Sequence, residues 1–286
     1  MESTWVSDGT AGREIEASKR RMRHQAVAER RGVGEAERTT AGERLATVMA
    51  QAVRVVDDGT TSAFQTKTDV QIPAATPRGD KGLAIGHTDT DHEYANGGRT
   101  DGVQTGKEHM ADKRTDTSPS EPRTIALRRG DTVAGYVSMG TEAPTLALLD
   151  GLLARGLRVL VPRLGRGRDI GFGAYQGSDA LRAMPRSARG GLRPAEPASE
   201  TLGPEALATA RLVLIPAFAI DLDGSRLGRG GGWYDRALGH CSPATLKVGV
   251  CWDWEFVGRH AAVPHLPHDI AVDAVLTSER MVRLRS

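Results

Sequence analysis

The sequence predicts an α/β fold, a single three-layer α/β/α domain with a largely parallel sheet, N-terminal helices and a long disordered insertion. Short β-branched runs predict the buried strands, namely TVAGYV, LRVLVP, RLVLIPAF, LKVGVC and VDAVLT. Between the first two runs lies TLALLDGLLARG, with Thr145 as the expected helix N-cap and Gly156 as its C-terminal stop. Strand, helix and strand in this order form a βαβ unit, which favours a parallel sheet. The run IGFGAYQ is a further candidate strand.

Two helices are expected near the N-terminus. The segment SKRRMRHQAVAERR predicts a short basic helix that is capped by the Ser18 hydroxyl. A second helix is expected to begin at Thr40, which is spaced from Glu43 as in a capping box. Its apolar residues follow the i, i+3, i+4, i+7 spacing of one buried face. They are Leu45, Val48, Met49, Ala52, Val53 and Val56.

The composition changes between about Asp57 and Arg123. This segment is rich in Thr, Asp, Gly, Lys and Pro, and its few apolar residues have no period. Such a composition buries too little apolar surface to offset the entropy of ordering the chain. The expected organisation is a polar tail (1–15), an N-terminal helical part (16–60), a disordered insertion (61–123) and the main α/β part (124–286).

The overall composition narrows the functional class. A net charge of +2 does not favour nucleic acid or an anionic membrane as a partner. The two cysteines form no CxxC pair, which argues against a disulfide scaffold or a structural zinc site. No apolar run reaches the roughly 18 residues needed to span a bilayer, and the polar N-terminus does not resemble a secretory signal. We therefore expect a cytoplasmic protein, and we also expect a monomer.

A glycine-rich loop, RLGRGGGWYDR (226–236), follows the strand segment RLVLIPAFAID. Open α/β sheets bind ligands at the carboxyl ends of their strands. Four glycines at 228, 230, 231 and 232 allow the backbone to approach a phosphate closely, and Arg226 and Arg229 supply charge-assisted hydrogen bonds to the same oxygens. The loop is neither a Walker A motif nor GxGxxG. Its composition nevertheless predicts a phosphate site.

The residues that follow the glycines have two interpretations each. Asp235 is either a first-turn acid that the helix dipole favours or a ligand of the Mg²⁺ that accompanies a nucleotide. Trp233 and Tyr234 are either core residues or rings that stack on a planar ligand.

Several segments together resemble the 5-formyltetrahydrofolate cyclo-ligase family, also called methenyltetrahydrofolate synthetases. The glycine loop resembles the most specific signature of that family. The remaining segments occur in the family order, and they are KRRMR, YVSMGTEAPT, LLARGLRVLVPRL, GLRPAEP, LVLIPAFAID and PHDIAVDAVLT. The resemblance covers nearly all of residues 16–60 and 124–286.

The resemblance implies an ATP- and Mg²⁺-dependent enzyme that converts 5-formyltetrahydrofolate to 5,10-methenyltetrahydrofolate. It implies catalytic roles for Arg229 and Tyr234, a folate site at Val137, Glu142 and residues 229–233, and Asp235 as a metal ligand. It also implies an ATP site that combines a basic pair on the first helix with the loop. The residues of that ATP site are Lys19, Arg23, Arg226, Leu227, Gly228, Arg229, Gly230, Gly231, Gly232, Trp233 and Tyr234.

Two other functions are compatible with parts of the sequence. A non-catalytic relative of the same fold would bind folate or nucleotide without turnover. An RNA-associated protein would use the basic helix around residues 19–31, but the near-neutral total charge argues against it.

Overall fold

A sheet of seven strands forms the centre of the computed structural model. The structure describes residues 6–56, 124–164, 169–186, 191–258 and 261–284. These residues belong to one compact unit that is interrupted in sequence. The predicted insertion and residues 1–5 of the predicted tail lie outside the described residues.

The described elements follow one another in chain order. The helices are α1 (Val6–Arg31), α2 (Glu35–Ala52), α3 (Leu146–Ala154) and α4 (Trp233–Leu238). The strands are β1 (Val53–Val56), β2 (Ile125–Arg128), β3 (Thr132–Ala134), β4 (Arg158–Leu164), β5 (Ile170–Ala174), β6 (Leu181–Arg182), β7 (Glu196–Pro197), β8 (Ala210–Pro216), β9 (Ala219–Asp221), β10 (Arg226–Leu227), β11 (Leu246–Val250), β12 (Phe256–Gly258), β13 (Ala274–Leu276) and β14 (Met281–Arg283). Short 3₁₀ helices span Ser178–Ala180, Pro204–Thr209 and Asp253–Glu255.

The central sheet has the order β14-β13-β11-β8-β3-β4-β5. Its five inner strands are parallel neighbours, and they arise from the five β-branched runs of the sequence. The two edge strands are antiparallel to their neighbours, since β5 pairs with β4 and β14 pairs with β13. Strand β5 corresponds to the run IGFGAYQ. The predicted α/β class with a largely parallel sheet is therefore confirmed.

Two apolar cores lie on opposite faces of this sheet. Alternate residues of β3 divide between them, since Val133 belongs to one core and Ala134 to the other. The first core is covered by α2 and α3. The second is covered by α4, the 204–209 turn and β9 of a small sheet, β10-β9-β12. One outer layer is thus helical, whereas the other mixes short helices with a second sheet.

The predicted start of each N-terminal helix is wrong. Helix α1 begins at Val6, so Ser18 lies inside it, and part of the predicted polar tail is helical. Strong helix formers in the segment GREIEA extend the helix in the N-terminal direction. Helix α2 begins at Glu35 after an extended Gly34, and the Thr40 hydroxyl donates to Ala36 O inside the helix at 3.0 Å.

Two further helix ends, the C-terminal end of α2 and the N-terminal end of α3, also differ from the prediction. The last four residues of the predicted second helix form β1, which pairs parallel with β2. This pairing across a long sequence separation overrides the helical periodicity of Val53 and Val56. Thr145 occupies the N-cap position of α3 without capping it, because its hydroxyl donates to Tyr136 O at 2.6 Å. Gly156 adopts a φ of 79° beyond the helix end, as expected of a C-terminal stop.

Candidate functional site

The glycine loop lies beyond the carboxyl end of β8, between β10 and α4. Gly230 and Gly232 have φ values of 88° and 60°, a region that glycine adopts without the Cβ penalty of other residues. A Cβ on Gly230 would lie 3.2 Å from the Arg23 guanidinium carbon, whereas nothing lies within 4 Å of a Cβ on Gly231. The loop therefore needs glycine at two positions and leaves open space at a third.

Helix α1 brings both predicted basic residues to this region. The Arg23 Nε donates to Gly228 O at 2.8 Å. Lys19 is buried, and its Nζ donates to Asp269 Oδ2 at 2.5 Å. Asp269 belongs to the segment that leads into β13, and sequence reasoning did not single it out. Burial acts to raise the pKa of Asp269, but the hydrogen bonds from Lys19 and the Leu266 amide, together with the charge of Lys19, outweigh it, so the net pKa lies below its ordinary value.

Asp235 links α4 to β10 and to the same segment. Its Oδ1 accepts a bond from Arg226 Nη2 at 2.5 Å and another from the amide of Ile270 at 3.1 Å. Asp235 is therefore ion-paired and lies beside the residue that follows Asp269. The Nε of buried Arg226 has no hydrogen-bond partner in the described part of the chain. The predicted loop residue Leu227 is buried in β10.

The described residues contain no cluster of three or more His, Cys, Asp or Glu side chains that could hold a metal ion. The Asp235 carboxylate nevertheless contacts the amide of Ile270, the residue that follows Asp269. Carboxylate oxygens are ligands that suit Mg²⁺, which usually also keeps waters and phosphate oxygens. The pair is thus compatible with a Mg²⁺ ion that arrives with a nucleotide.

Arg229 and Glu142 are bonded to each other. The Nε and Nη2 of Arg229 donate to Glu142 Oε1 at 3.0 and 2.8 Å, while the Met139 amide donates to Oε2 at 2.9 Å. Glu142 is only 5% exposed, whereas Arg229 is 51% exposed. The sequence assigned both residues to ligands but did not indicate that they pair, because they lie 87 positions apart.

Aromatic rings line the same edge of the sheet. Trp233 lies 5.6 Å from Phe172 and 4.9 Å from Tyr234 between ring centroids, and it remains partly exposed. Burial, followed by the charge of Glu142, raises the pKa of Tyr234, so its hydroxyl stays protonated. Val137 is buried in the core. The predicted aromatic residues therefore combine a core contact with an accessible face.

Three residues that the sequence analysis did not assign, Arg30, Phe218 and Glu255, pack together next to Arg229. Arg30 and Glu255 form a buried ion pair, with Nε–Oε1 and Nη2–Oε2 distances of 2.6 and 2.8 Å. Burial raises the pKa of Glu255 to about 7 although Arg30 acts to lower it. The Arg30 guanidinium lies 4.2 Å from the ring centroid of Phe218, and Arg229 lies 5.8 Å from the same ring. The basic character of the first helix was the available signal, but the sequence did not reveal its partners.

Comparisons with known proteins show the family of the chain. The sequence model of the 5-formyltetrahydrofolate cyclo-ligase family matches residues 103–278. The chain is 38% identical over 162 residues to the 5-formyltetrahydrofolate cyclo-ligase of Mycolicibacterium smegmatis, a match that covers 54% of this chain and 78% of that protein. The corresponding mouse protein is 28% identical over 153 residues, with coverage of 49% and 70%.

Two solved structures of 5,10-methenyltetrahydrofolate synthetases are also similar. The Aquifex aeolicus protein is 29% identical, with a TM-score of 0.42 and coverage of 55% of this chain and 73% of that chain. The Mycoplasma pneumoniae protein is 14% identical, with a TM-score of 0.49 and coverage of 91% and 98%. The family match, which spans more than half of the sequence, and the Mycolicibacterium relative show that this chain belongs to the 5-formyltetrahydrofolate cyclo-ligase family.

Proposed function

We propose that the chain converts 5-formyltetrahydrofolate to 5,10-methenyltetrahydrofolate at the expense of ATP, with release of ADP and phosphate. The observation that carries the proposal is the meeting of α1, the glycine loop and Glu142 at the carboxyl edge of the sheet. Arg23 contacts the loop directly, and Arg229 of the loop contacts Glu142. Family membership supports the same reaction.

The reaction begins with a poor electrophile, because the N-formyl group is amide-like. Transfer of the γ-phosphoryl group from ATP to the formyl oxygen makes that oxygen part of a leaving group. N10 then attacks the formyl carbon, the ring closes, the N10 proton is lost and phosphate departs. Such chemistry requires mainly positioning and charge neutralisation from the protein.

The phosphate groups fit the glycine loop and the basic residues around it. Open space at Gly231 and the absence of a Cβ at Gly230 let the backbone approach an anion. Lys19, Arg23 and Arg226 supply positive charge from two elements. Mg²⁺ bound with ATP would be held by Asp235 together with Asp269, and it would neutralise phosphate charge.

The folate fits the opposite side of Arg229. Glu142 accepts hydrogen bonds from the N–H groups of the pterin, and Trp233 stacks on a flat ring. Arg229 and Glu142 are hydrogen-bonded to each other in this structure. Both therefore change partner when the ligands bind: Arg229 then binds phosphate, and Glu142 binds the pterin. The protonated hydroxyl of Tyr234 is a donor for the oxygen that receives the phosphoryl group.

The proposal is tested by measuring ADP formation with and without 5-formyltetrahydrofolate. We expect one ADP per methenyl product and little ADP when either the folate or Mg²⁺ is left out. A folded protein that binds ATP and folate, yet forms no ADP with both present, would instead be the binding-only relative.

A further inference from the structure

Tyr136 carries a buried hydroxyl that the proposed reaction has not used. The residue lies two positions beyond β3, at the carboxyl edge of the sheet, and its side chain is 4% exposed. Its hydroxyl has no hydrogen-bond partner among the described residues. An unsatisfied buried donor is rare in native proteins, and a ligand is one of the few reasons to retain it.

The surroundings of this hydroxyl are those of the candidate folate site. Besides burial, Glu142 and Tyr234 raise the pKa of Tyr136, which places both residues near its hydroxyl and keeps the hydroxyl protonated. Several hydrogen bonds hold the turn that carries Tyr136 and Glu142. Among them, Thr145 Oγ1 donates to Tyr136 O, and the Met139 amide donates to Glu142 Oε2. The turn therefore holds the backbone of both residues in place.

A protonated phenol beside a carboxylate offers one donor and one acceptor to the same ligand. The lactam edge of a pterin offers the complement, an N–H donor next to a carbonyl oxygen. Glu142 Oε1 becomes available as the acceptor once Arg229 turns toward phosphate. We propose that Tyr136 is a further substrate-contacting residue, whose hydroxyl donates a hydrogen bond to the carbonyl oxygen of the pterin while Glu142 accepts from the adjacent N–H. This inference rests on the proposed function.

Tyr175 shows what a structural tyrosine looks like in the same protein. It is equally buried, but its hydroxyl donates to Asp150 Oδ1 on helix α3 at 2.7 Å. Removing that hydroxyl breaks an existing bond, whereas removing the Tyr136 hydroxyl breaks none that the structure describes. The two tyrosines therefore differ in a way that stability and kinetics can separate.

The test compares Tyr136→Phe with Tyr175→Phe in the full-length protein. For Tyr136→Phe we expect the KM for 5-formyltetrahydrofolate to rise about tenfold, the KM for ATP to stay unchanged, and the Tm without ligands to equal or exceed that of the wild type. For Tyr175→Phe we expect a Tm lower by about 2–4 °C and unchanged KM values.

Two results would overturn the inference. One is an unchanged folate KM in Tyr136→Phe, and the other is a Tm loss as large as that of Tyr175→Phe. Folate affinity measured by quenching of tryptophan fluorescence provides a readout that does not need turnover. If the wild type binds folate without turning it over, the proposed function fails, while weaker binding by Tyr136→Phe still supports the contact.

Discussion

Gly230 and Gly231 are neighbours in the chain, yet a side chain would meet different surroundings at each. Gly230 has a φ of 88°, and a Cβ there would press on the Arg23 guanidinium. At Gly231 the same atom would meet nothing within 4 Å, and this residue is not among the glycines with positive φ. The sequence predicted a phosphate loop from its four glycines, but it did not indicate which of them the backbone requires.

This difference predicts the behaviour of two alanine variants. Gly230→Ala forces a left-handed conformation that costs roughly 1–2 kcal/mol and pushes Arg23 away from the loop. We expect its Tm to fall and its KM for ATP to rise about tenfold, whereas Gly231→Ala should keep the Tm of the wild type, because a Cβ there meets nothing within 4 Å. Thermal unfolding and nucleotide titration check both variants. Equal effects of the two substitutions would contradict the assigned loop conformation.

The pairing of Arg229 with Glu142 marks a limit of prediction at the residue scale. The resemblance assigned each residue to a ligand, and the structure places both at one edge of the sheet. Their contact was not predictable, because Glu142 lies in the turn after β3 and nothing in the sequence connects this turn with a loop 87 positions away. The sequence also could not predict that the Tyr136 hydroxyl lacks a hydrogen-bond partner among the described residues, since burial and hydrogen bonding depend on the folded chain.

Helix α1 shows the same limit at the scale of elements. The sequence predicted a basic helix and, by resemblance, the contribution of Lys19 and Arg23 to the site. It did not predict that Arg30 on the same helix is buried against Glu255 and Phe218. This pair anchors α1 beside the ends of the parallel strands, so it holds the two basic residues near the glycine loop.

Breaking this anchor should destabilise the protein strongly. Arg30→Met leaves Glu255 buried without its partner, for which we expect a loss of about 3–5 kcal/mol in the free energy of unfolding. Arg31→Met is the matched control, because Arg31 is the next residue and is exposed; its effect should lie within about 0.5 kcal/mol. Urea unfolding followed by circular dichroism measures both. A loss below 1 kcal/mol in Arg30→Met would show that the pair does not hold the helix.

The ion pair between Lys19 and Asp269 predicts a pH dependence. The pKa of Asp269 is lower in the folded protein than its ordinary value of 3.8. Its contribution to stability is therefore present above that value and is lost as the pH falls through the folded pKa. The wild type should be more stable than Asp269→Asn at pH 7, and the difference should shrink below about pH 4.

Urea unfolding at pH 7 and at pH 3.5 measures this difference. Asp223→Asn serves as the control, because the Asp223 side chain is exposed, and it should show no comparable pH-dependent change. A stability difference between wild type and Asp269→Asn that is the same at both pH values would argue against the ion pair.

The architecture of the whole molecule was the most predictable feature. Five β-branched runs predicted the five parallel strands, because a strand buried on both faces has no polar side to interrupt it. The carboxyl-edge rule for open α/β sheets also predicted that the glycine loop lies at the edge of the sheet where ligands bind. The parallel pairing of β1 with β2 was missed, since the periodicity of Val53–Val56 also fits the end of a helix.

The β1–β2 pair also predicts how much of the predicted insertion is needed. Because the two strands are parallel, the chain must return along the full length of β1 before β2 begins. A connection of about a dozen residues is the minimum for such a crossover. Replacing residues 61–122 with about a dozen glycine and serine residues should preserve cooperative unfolding and leave kcat/KM within about threefold of wild type. A variant in which Val56, the last residue of β1, is joined directly to β2 should not fold.

The proposed reaction is tested by near-ultraviolet absorbance after the purified protein is mixed with 5-formyltetrahydrofolate and Mg-ATP. The proposed reaction predicts growth of the methenyl product's band, no growth without ATP, and loss of the signal in Arg229→Ala. The control Arg211→Ala removes an exposed arginine at the start of β8, the opposite end of the sheet, and should behave like the wild type. A flat trace from folded wild-type protein, or equal activity in Arg229→Ala, would contradict the assignment of the glycine loop as the catalytic site.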